Sequence, residues 1–277
     1  MKAIKNILII CAAICCFASC KKEVDMTLVQ KTVLENADIR QIEIGDAWQV
    51  TLIADSNTFV ELAYSAYLEP NLKAKMDGTK LEIGFTGNVY PAINSVYRAI
   101  VHVKQLEKMD AEDATRVQCS GSFSGQHIEI NLAEATQCTG LSFSGESCEI
   151  NLKDASLLAG FQFIGSTSKA DLADASQFNG QIQVSERIEV ELKDASRFVN
   201  SGGTTEQAIV KLQNSSLLNM AETEVRKMDV DLSEGSEATV RVVELMEGTL
   251  IEASTLYYMG HPQINVDCSD DSQLIPF

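Results

Sequence analysis

The sequence predicts an all-β chain wound as a right-handed parallel β-helix of about twenty-residue coils. Three observations carry that prediction: a block recurring at a near-constant interval, apolar residues at alternate positions inside it, and small residues at one fixed phase. The block reads Leu132-Ala-Glu-Ala-Thr136, Leu152-Lys-Asp-Ala-Ser156, Leu172-Ala-Asp-Ala-Ser176 and Leu192-Lys-Asp-Ala-Ser196. Looser copies end at Thr115, Ser216, Ser236, Ser254 and Ser272, so that successive copies lie 21, 20, 20, 20, 20, 20, 18 and 18 residues apart. A coil this short cannot bury its own apolar side, but stacked coils can, and each strand then pairs with neighbours above and below. Helical solenoids use longer repeats and a 3.6-residue period, which is absent. The right hand follows from the preference of parallel crossovers.

Each coil reads by phase. A Leu column (132, 152, 172, 192, 212, 232, 250, with Cys268 last) precedes the Ser/Thr by four residues. Ile130, Ile150, Ala170, Val190 and Val210 stand two earlier, and Ile128, Cys148, Ser168 and Ile188 two earlier again. Every second side chain therefore points inward, as in a strand with one buried face. Glu129, Asn131, Glu149, Asn151, Asp171, Glu189 and Glu191 alternate with them as the wet face. After the Ser/Thr a further inward column runs Val117, Cys138, Leu158, Phe178, Phe198 and Leu218, and Gly140, Gly160 and Gly180 mark a bend.

The chain divides into four segments. Residues 1–19 read as a signal peptide: Lys2 and Lys5 are followed by an apolar run, Ile7 to Phe17, too short to span a bilayer. The ending Ala18-Ser19-Cys20 resembles a bacterial lipoprotein signal, with Cys20 the lipidated new N-terminus and residues 20–25 an anchor segment. An ordinary secretory signal with a chance Cys is the alternative. Residues 26–105 lack the period yet alternate at Ile39–Ile44, Trp48–Ile53, Phe59–Ala63, Lys80–Phe85 and Ala99–Val103, with a hairpin turn at Asp77-Gly78. They are expected as irregular opening coils that cap the rod, an independent small β-domain being the alternative. Residues 106–277 form the regular β-helix with a C-terminal cap.

Composition bounds the partners. The 277 residues are 45% hydrophobic and carry a formal charge of -17, which disfavours nucleic acid and anionic lipid. Of the eight cysteines, Cys11, Cys15 and Cys16 leave with the signal and Cys20 carries lipid. The repeat phase puts no two of Cys119, Cys138, Cys148 and Cys268 side by side in adjacent coils, so all four read as small buried thiols and not as disulfides.

With alternating strands, then Lys80-Leu-Glu-Ile83, a strand Val101-His-Val103 closing at Leu106, and Asp-Ala-Ser coils, the sequence resembles the putative auto-transporter adhesin (head GIN domain) family of Bacteroidetes lipoproteins. That resemblance covers nearly the whole mature chain and implies a β-helix in the cell envelope. It brings no catalytic residues. No translocating barrel is seen in the sequence, so true autotransport is not expected.

Candidate sites are few. An acidic column two residues before each Ser/Thr includes Asp113, Glu134, Asp154, Asp174, Asp194 and Asn214. The plainer reading is that each Asp accepts backbone N–H groups of its own corner. A Ca²⁺ ladder along Asp154, Asp174 and Asp194 is the lesser one. His102, His127 and His261 lack metal-ligand spacing, His102 reading as structural, and Gly121-Ser-Phe-Ser-Gly125 has no following helix to make it a nucleophile elbow. Arg116, Arg187, Arg197, Arg226 and Arg241 read as scattered in phase. The expectation is a non-enzymatic envelope lipoprotein without cofactor, attached to the outer membrane through Cys20 and facing either the periplasm or the cell surface. It would bind a glycan or protein ligand, with Tyr64, Tyr67, Tyr90, Tyr97, Tyr257 and Tyr258 as candidate contact aromatics. The alternative is a structural, self-associating scaffold, for which homo-oligomers are expected; a polysaccharide-active enzyme is the least favoured reading.

Overall fold

The computed structural model describes residues 24–277. The signal peptide and the lipidated Cys20 lie outside the described residues. The chain forms a parallel β-solenoid in which each coil is built from three short strands, for example His127–Leu132, Gln137–Thr139 and Ser142–Ser144. The next coil repeats them twenty residues on, with Ile128 opposite Cys148 and Phe123 opposite Phe143. From Leu157 the strands fuse round the gentler bends into continuous 16-residue runs such as Leu157–Leu172 and Gln177–Leu192.

Packing follows the phase columns. Ile130, Ile150, Ala170, Val190, Val210 and Val230 are all fully buried, as is the Leu column through Leu250. Each Val, Leu or Ile among them contributes about 1.5–3 kcal/mol on leaving water. Aromatic rings extend the columns: Phe178 stacks on Phe198 at 4.5 Å and Phe143 on Phe163 at 6.3 Å. Cys268, which ends the Leu column at the last of the described coils, is exposed rather than buried. Cys119 and Cys138 also depart from expectation. They are buried in adjacent coils with Sγ atoms 3.9 Å apart. Cys119 lies two residues along from Val117, the register partner of Cys138, so inward side chains meet on the diagonal.

The sharp corner explains the recurring tetrad. Two consecutive residues adopt positive φ at ten corners, as at Asp154 (54°) and Ala155 (59°) or Asp174 (55°) and Ala175 (60°). Asp, Asn and Gly tolerate this left-handed region best. The second residue must be small, and its N–H continues the ladder: Ala135 donates to the Asp154 carbonyl at 2.7 Å and Ala155 to that of Asp174 at 2.8 Å. The closing Ser or Thr is wholly buried, and Ser156 and Ser176 donate their hydroxyls to the carbonyls of Leu132 and Leu152.

The first coil is not where the period begins. Gln41–Ile44 pairs in parallel with Lys108–Ala111, and Gln49–Ala54 with Arg116–Ser120, across a corner at Asp46-Ala47. Residues 55–107 are therefore an insertion between the first coil and the second. They extend both walls upward: Lys80–Phe85 adds in parallel to Gln41–Ile44, with Leu72–Asp77 antiparallel beyond it. On the other wall Tyr97–Val103 adds to Gln49–Ala54, then Phe59–Ser65 and Leu28–Val33 close the end antiparallel. Trp48 takes the corner phase that Thr115 fills one coil later, and packs on Phe85 and Tyr97 at 5.7 and 6.0 Å.

Candidate functional site

Because the ladder keeps its register along each wall, slipping only near bends such as Ala159/Phe161 and Gly165/Thr167, the outward side chains of each wall form rows. One wall carries Lys80, Gln41, Lys108, Glu129, Glu149, Lys169 and Glu189 in its first row, and Glu82, Glu43, Asp110, Asn131, Asn151, Asp171 and Glu191 in its second. The opposite wall carries Gln30, Ala63, Arg98, Gln49, Arg116, Gln137, Leu157, Gln177 and Arg197. Beside them run Thr32, Glu61, Ile100, Thr51, Gln118, Thr139, Ala159, Asn179 and Val199. The first is an acidic face with lysines interspersed. The second is an amide and hydroxyl face whose charge is chiefly guanidinium.

The acidic face satisfies itself. Glu82 receives Lys73 and Lys80 at 3.0 Å and Lys75 at 3.3 Å, and these hydrogen bonds lower its pKa to about 2. Lys108 meets Glu129 at 2.9 Å, Lys169 meets Asp171 at 2.7 Å, and Asn151 donates to Asn131 at 2.8 Å. A concavity of about 690 Å³ beside this face is lined by the same ladder with Glu112 and Lys193. Glu112 is raised above its ordinary value by burial and by Asp113, Glu43, Asp46 and Asp110 nearby.

The amide face is different. Its end nearest the N-terminus holds a groove of about 860 Å³ lined by Gln30, Gln49, Glu61, Arg98, Arg116, Gln118 and Gln137. The short side chains of Ala63, Thr51 and Thr32 form its floor between longer Gln and Arg walls. Among the described residues, Arg98, Arg116 and Arg197 make no salt bridge. Two of them flank Gln49, and all three side chains stand exposed in one row. The row corrects the sequence reading: Arg116 and Arg197 share one phase, each directly following the corner Thr or Ser. Arg98 and Gln49 escaped the sequence reading because they lie outside the regular period. The available signal was Asp46-Ala47-Trp48-Gln49-Val50, which repeats Asp113-Ala114-Thr115-Arg116-Val117 in kind.

The remaining candidates fall as follows. Asp154, Asp174 and Asp194 stack at successive corners and face solvent. Their carboxylates accept no backbone N–H among the described residues; Asp194 accepts the Asn214 side chain at 2.8 Å. Their residue type answers to the left-handed backbone and not to capping. Asp46 and Asp113 do accept backbone N–H groups, though not of their own corners: Asp46 accepts that of Phe85 at 2.7 Å and Asp113 that of Asp46 at 3.3 Å. Among the described residues no group of three or more His, Cys, Asp or Glu is placed to hold a metal ion. His102 stacks on Phe59 at 4.0 Å and bonds Asp55 at 2.9 Å, a structural setting. Of the tyrosines, Tyr64 is buried, Tyr67 and Tyr97 are half-buried, and Tyr90 is exposed.

The fold and the faces define a class: a parallel β-solenoid with one self-paired acidic wall and one open amide wall. Residues 38–262 match the family described as putative auto-transporter adhesin, head GIN domain, and the chain belongs to that family. Three crystal structures share the fold. A putative adhesin from Parabacteroides merdae is 10% identical with a TM-score of 0.68, covering 92% of this chain and 98% of its own. A putative lipid binding protein from Parabacteroides distasonis is 14% identical at 0.65, covering 91% and 97%. A putative adhesin from the same organism is 13% identical at 0.63, covering 91% and 98%. No curated protein matches the chain.

Proposed function

We propose that this protein is a non-catalytic binding module of the cell envelope, exported by the signal over residues 1–19 and held on the outer membrane by lipid on Cys20, with the amide face as its binding surface. The observation that carries this reading is the row of exposed, unpaired guanidiniums in a chain whose formal charge is -17. On the acidic wall several carboxylates are met by lysine or asparagine, as at Glu82, Glu129 and Asp171. Here donors are left free above a row of amides and hydroxyls.

Such a row suits a glycan. Amide and hydroxyl groups match sugar hydroxyls, and Arg98 and Arg116 offer fork-shaped donors to a carboxylate or sulfate on the sugar. The groove volume lies in the ordinary range for a ligand site. A glycan array probed with wild-type protein and with the double variant Arg98→Glu/Arg116→Glu tests the reading. Acidic-glycan binding should fall at least about tenfold, the worth of one charge-assisted hydrogen bond, with the melting temperature unchanged. Equal binding by both proteins excludes this face. Metabolic labelling with palmitate, present in wild type and absent in Cys20→Ala, tests the anchor, and protease shaving of intact cells tests which side it faces.

A self-associating scaffold is the second reading. It is favoured by the C-terminal end of the described rod, where Ile264 and Phe277 stand 38% and 80% exposed. Light scattering on the purified protein distinguishes monomer from end-to-end assembly.

A further inference from the structure

We infer that the loop Thr86–Val96 is a second membrane contact, seated in the bilayer interface beside the anchor so that the solenoid stands end-on to the membrane. The inference rests on the proposed lipidation of Cys20. The loop joins Lys80–Phe85 to Tyr97–Val103 at the N-terminal end of the rod and contains no charged residue in eleven. At its apex Tyr90 and Ile93 are 87% and 89% exposed. Large apolar side chains so displayed cost solubility unless something covers them.

Three observations say that the cover is lipid. The first is location. Tyr67 N–H donates to the Asp25 carbonyl at 3.1 Å, and the Tyr67 hydroxyl accepts the Ala92 N–H at 2.7 Å. One residue therefore ties the start of the described chain to the loop. Asp25 lies five residues after Cys20, a span of at most about 18 Å. An acyl chain at Cys20 thus brings the bilayer within reach of this end and of no other. The second is the company the loop keeps: Val24 and Met26, on the segment between anchor and rod, are 36% and 38% exposed, and Leu28, first residue of the closing strand, is 47% exposed. The third is composition. A tyrosine, an isoleucine, a proline and small polar residues suit the interface, where an amphipathic ring sits at headgroup level. Anchoring by a second, weaker contact also removes the swivel that an acylated tail alone would allow.

The flanking charges select the lipid. The four charges that follow Cys20, on Lys21, Lys22, Glu23 and Asp25, sum to zero, and Glu69 beside the loop is engaged by the Tyr64 hydroxyl at 3.1 Å. With the chain so acidic overall, the loop suits neutral, zwitterionic headgroups better than anionic ones.

The test uses the full chain, expressed with its signal, purified in detergent and reconstituted into phosphatidylcholine vesicles. Trp48 is fully buried and common to all variants, so the difference in quenching between two single-Trp additions reports on the introduced indoles, the first being Tyr90→Trp in the loop. Ile264→Trp, at the opposite end of the rod, is the control. Vesicles carrying brominated phosphatidylcholine should quench the Tyr90→Trp protein at least about twofold more than the Ile264→Trp protein, as expected of an interfacial ring. Flotation without quenching of either variant overturns the loop contact and leaves the anchor standing. Equal quenching of both overturns the end-on posture, since the rod would then lie flat. A protein that does not float overturns the anchor and the loop contact together.

Discussion

The two walls of this solenoid share one core and one register, yet solve the same surface problem in opposite ways. On the acidic wall, carboxylates recur from coil to coil, and lysine and asparagine are interleaved so that Glu82, Glu129, Asp171 and Glu191 are met. On the amide wall the same rows hold side chains that neither repel nor satisfy one another. Stacking identical coils makes any outward residue a column, so a charged repeat must be neutralised at once while an uncharged one need not be. The difference separates positions kept for stability from positions free to bind. Changing each in turn shows how far that separation holds.

The largest effect belongs to what the walls share. Phe178 is buried between Phe161 and Phe198, at ring distances of 6.0 and 4.5 Å, in the columns behind the amide wall. Phe178→Ala should cost about 3–5 kcal/mol in denaturant melts, and should loosen hydrogen-exchange protection in Ser147–Leu152 as well as in its own strand. Protection lost on one wall alone would mean that the walls do not share a single cooperative core.

Next come the corners that join the walls. Asp174 sits at φ 55° with its carboxylate in solvent. Asp174→Asn keeps a residue at ease in that region and should leave the melt unchanged. Asp174→Val should cost about 1–2 kcal/mol, since a β-branched side chain is strained there. If instead EDTA lowers the wild-type melting temperature by several degrees, the corner column holds a cation and its chemistry is more than conformational.

How much of this was legible depends on where the period runs. The twenty-residue block disclosed the coil, the inward columns and the corner, because each of those is repeated with the same physical demand. Arg116 and Arg197 were legible in the same way, both following a corner residue, and were nevertheless read as scattered. Arg98 and Gln49 were hidden by the 55–107 insertion, which breaks the count while leaving the hydrogen-bonded register intact. Leu28–Val33 gave no alternating signal, for an edge strand at a capped end has one neighbour and a weak inward side, whereas Leu72–Asp77 does alternate, with Leu72, Ala74 and Met76 against the core, and was legible but not read. The pairing of Cys119 with Cys138 was hidden for a geometric reason: phase counting finds side chains directly opposite and overlooks the diagonal.

A third and smaller effect tells the walls apart by pH. Glu82, lowered to about 2 from 4.5 by Lys73, Lys80 and Lys75, stabilises the fold above pH 4.5 and loses that contribution as pH falls towards 2. Glu129 and Glu191 shift the same way through their own partners, Asn131 and Lys108 for the first and Lys193 for the second. Glu112 and Glu134 shift upward, through burial for the first and Asp113 for the second, so their opposing contribution is relieved earlier, as pH falls from above 4.5 towards 4.5. Thermal melts from pH 7 to 3 should fall for wild type and fall less for Glu82→Gln. An equal slope in both would remove Glu82 from the acid response.

The smallest effect on stability is expected where the effect on binding is largest. Arg116 is exposed and has no ion-pair partner, so Arg116→Gln removes a solvated charge and leaves nothing behind unpaired. The melt should shift by no more than about 0.5 kcal/mol, as at other surface positions free of special contacts. Lys80→Gln, the matched change on the other wall, withdraws a partner from Glu82 and Glu43, so its effect should be the larger of the two. If the two variants melt alike, the self-pairing of the acidic wall contributes nothing measurable, as exposed ion pairs often do not. If Arg116→Gln is the more destabilising, the guanidinium row is structural and the binding surface must be sought elsewhere. The outcome expected here is a stable Arg116→Gln protein that no longer holds its glycan, which would place function on the wall that stability leaves free.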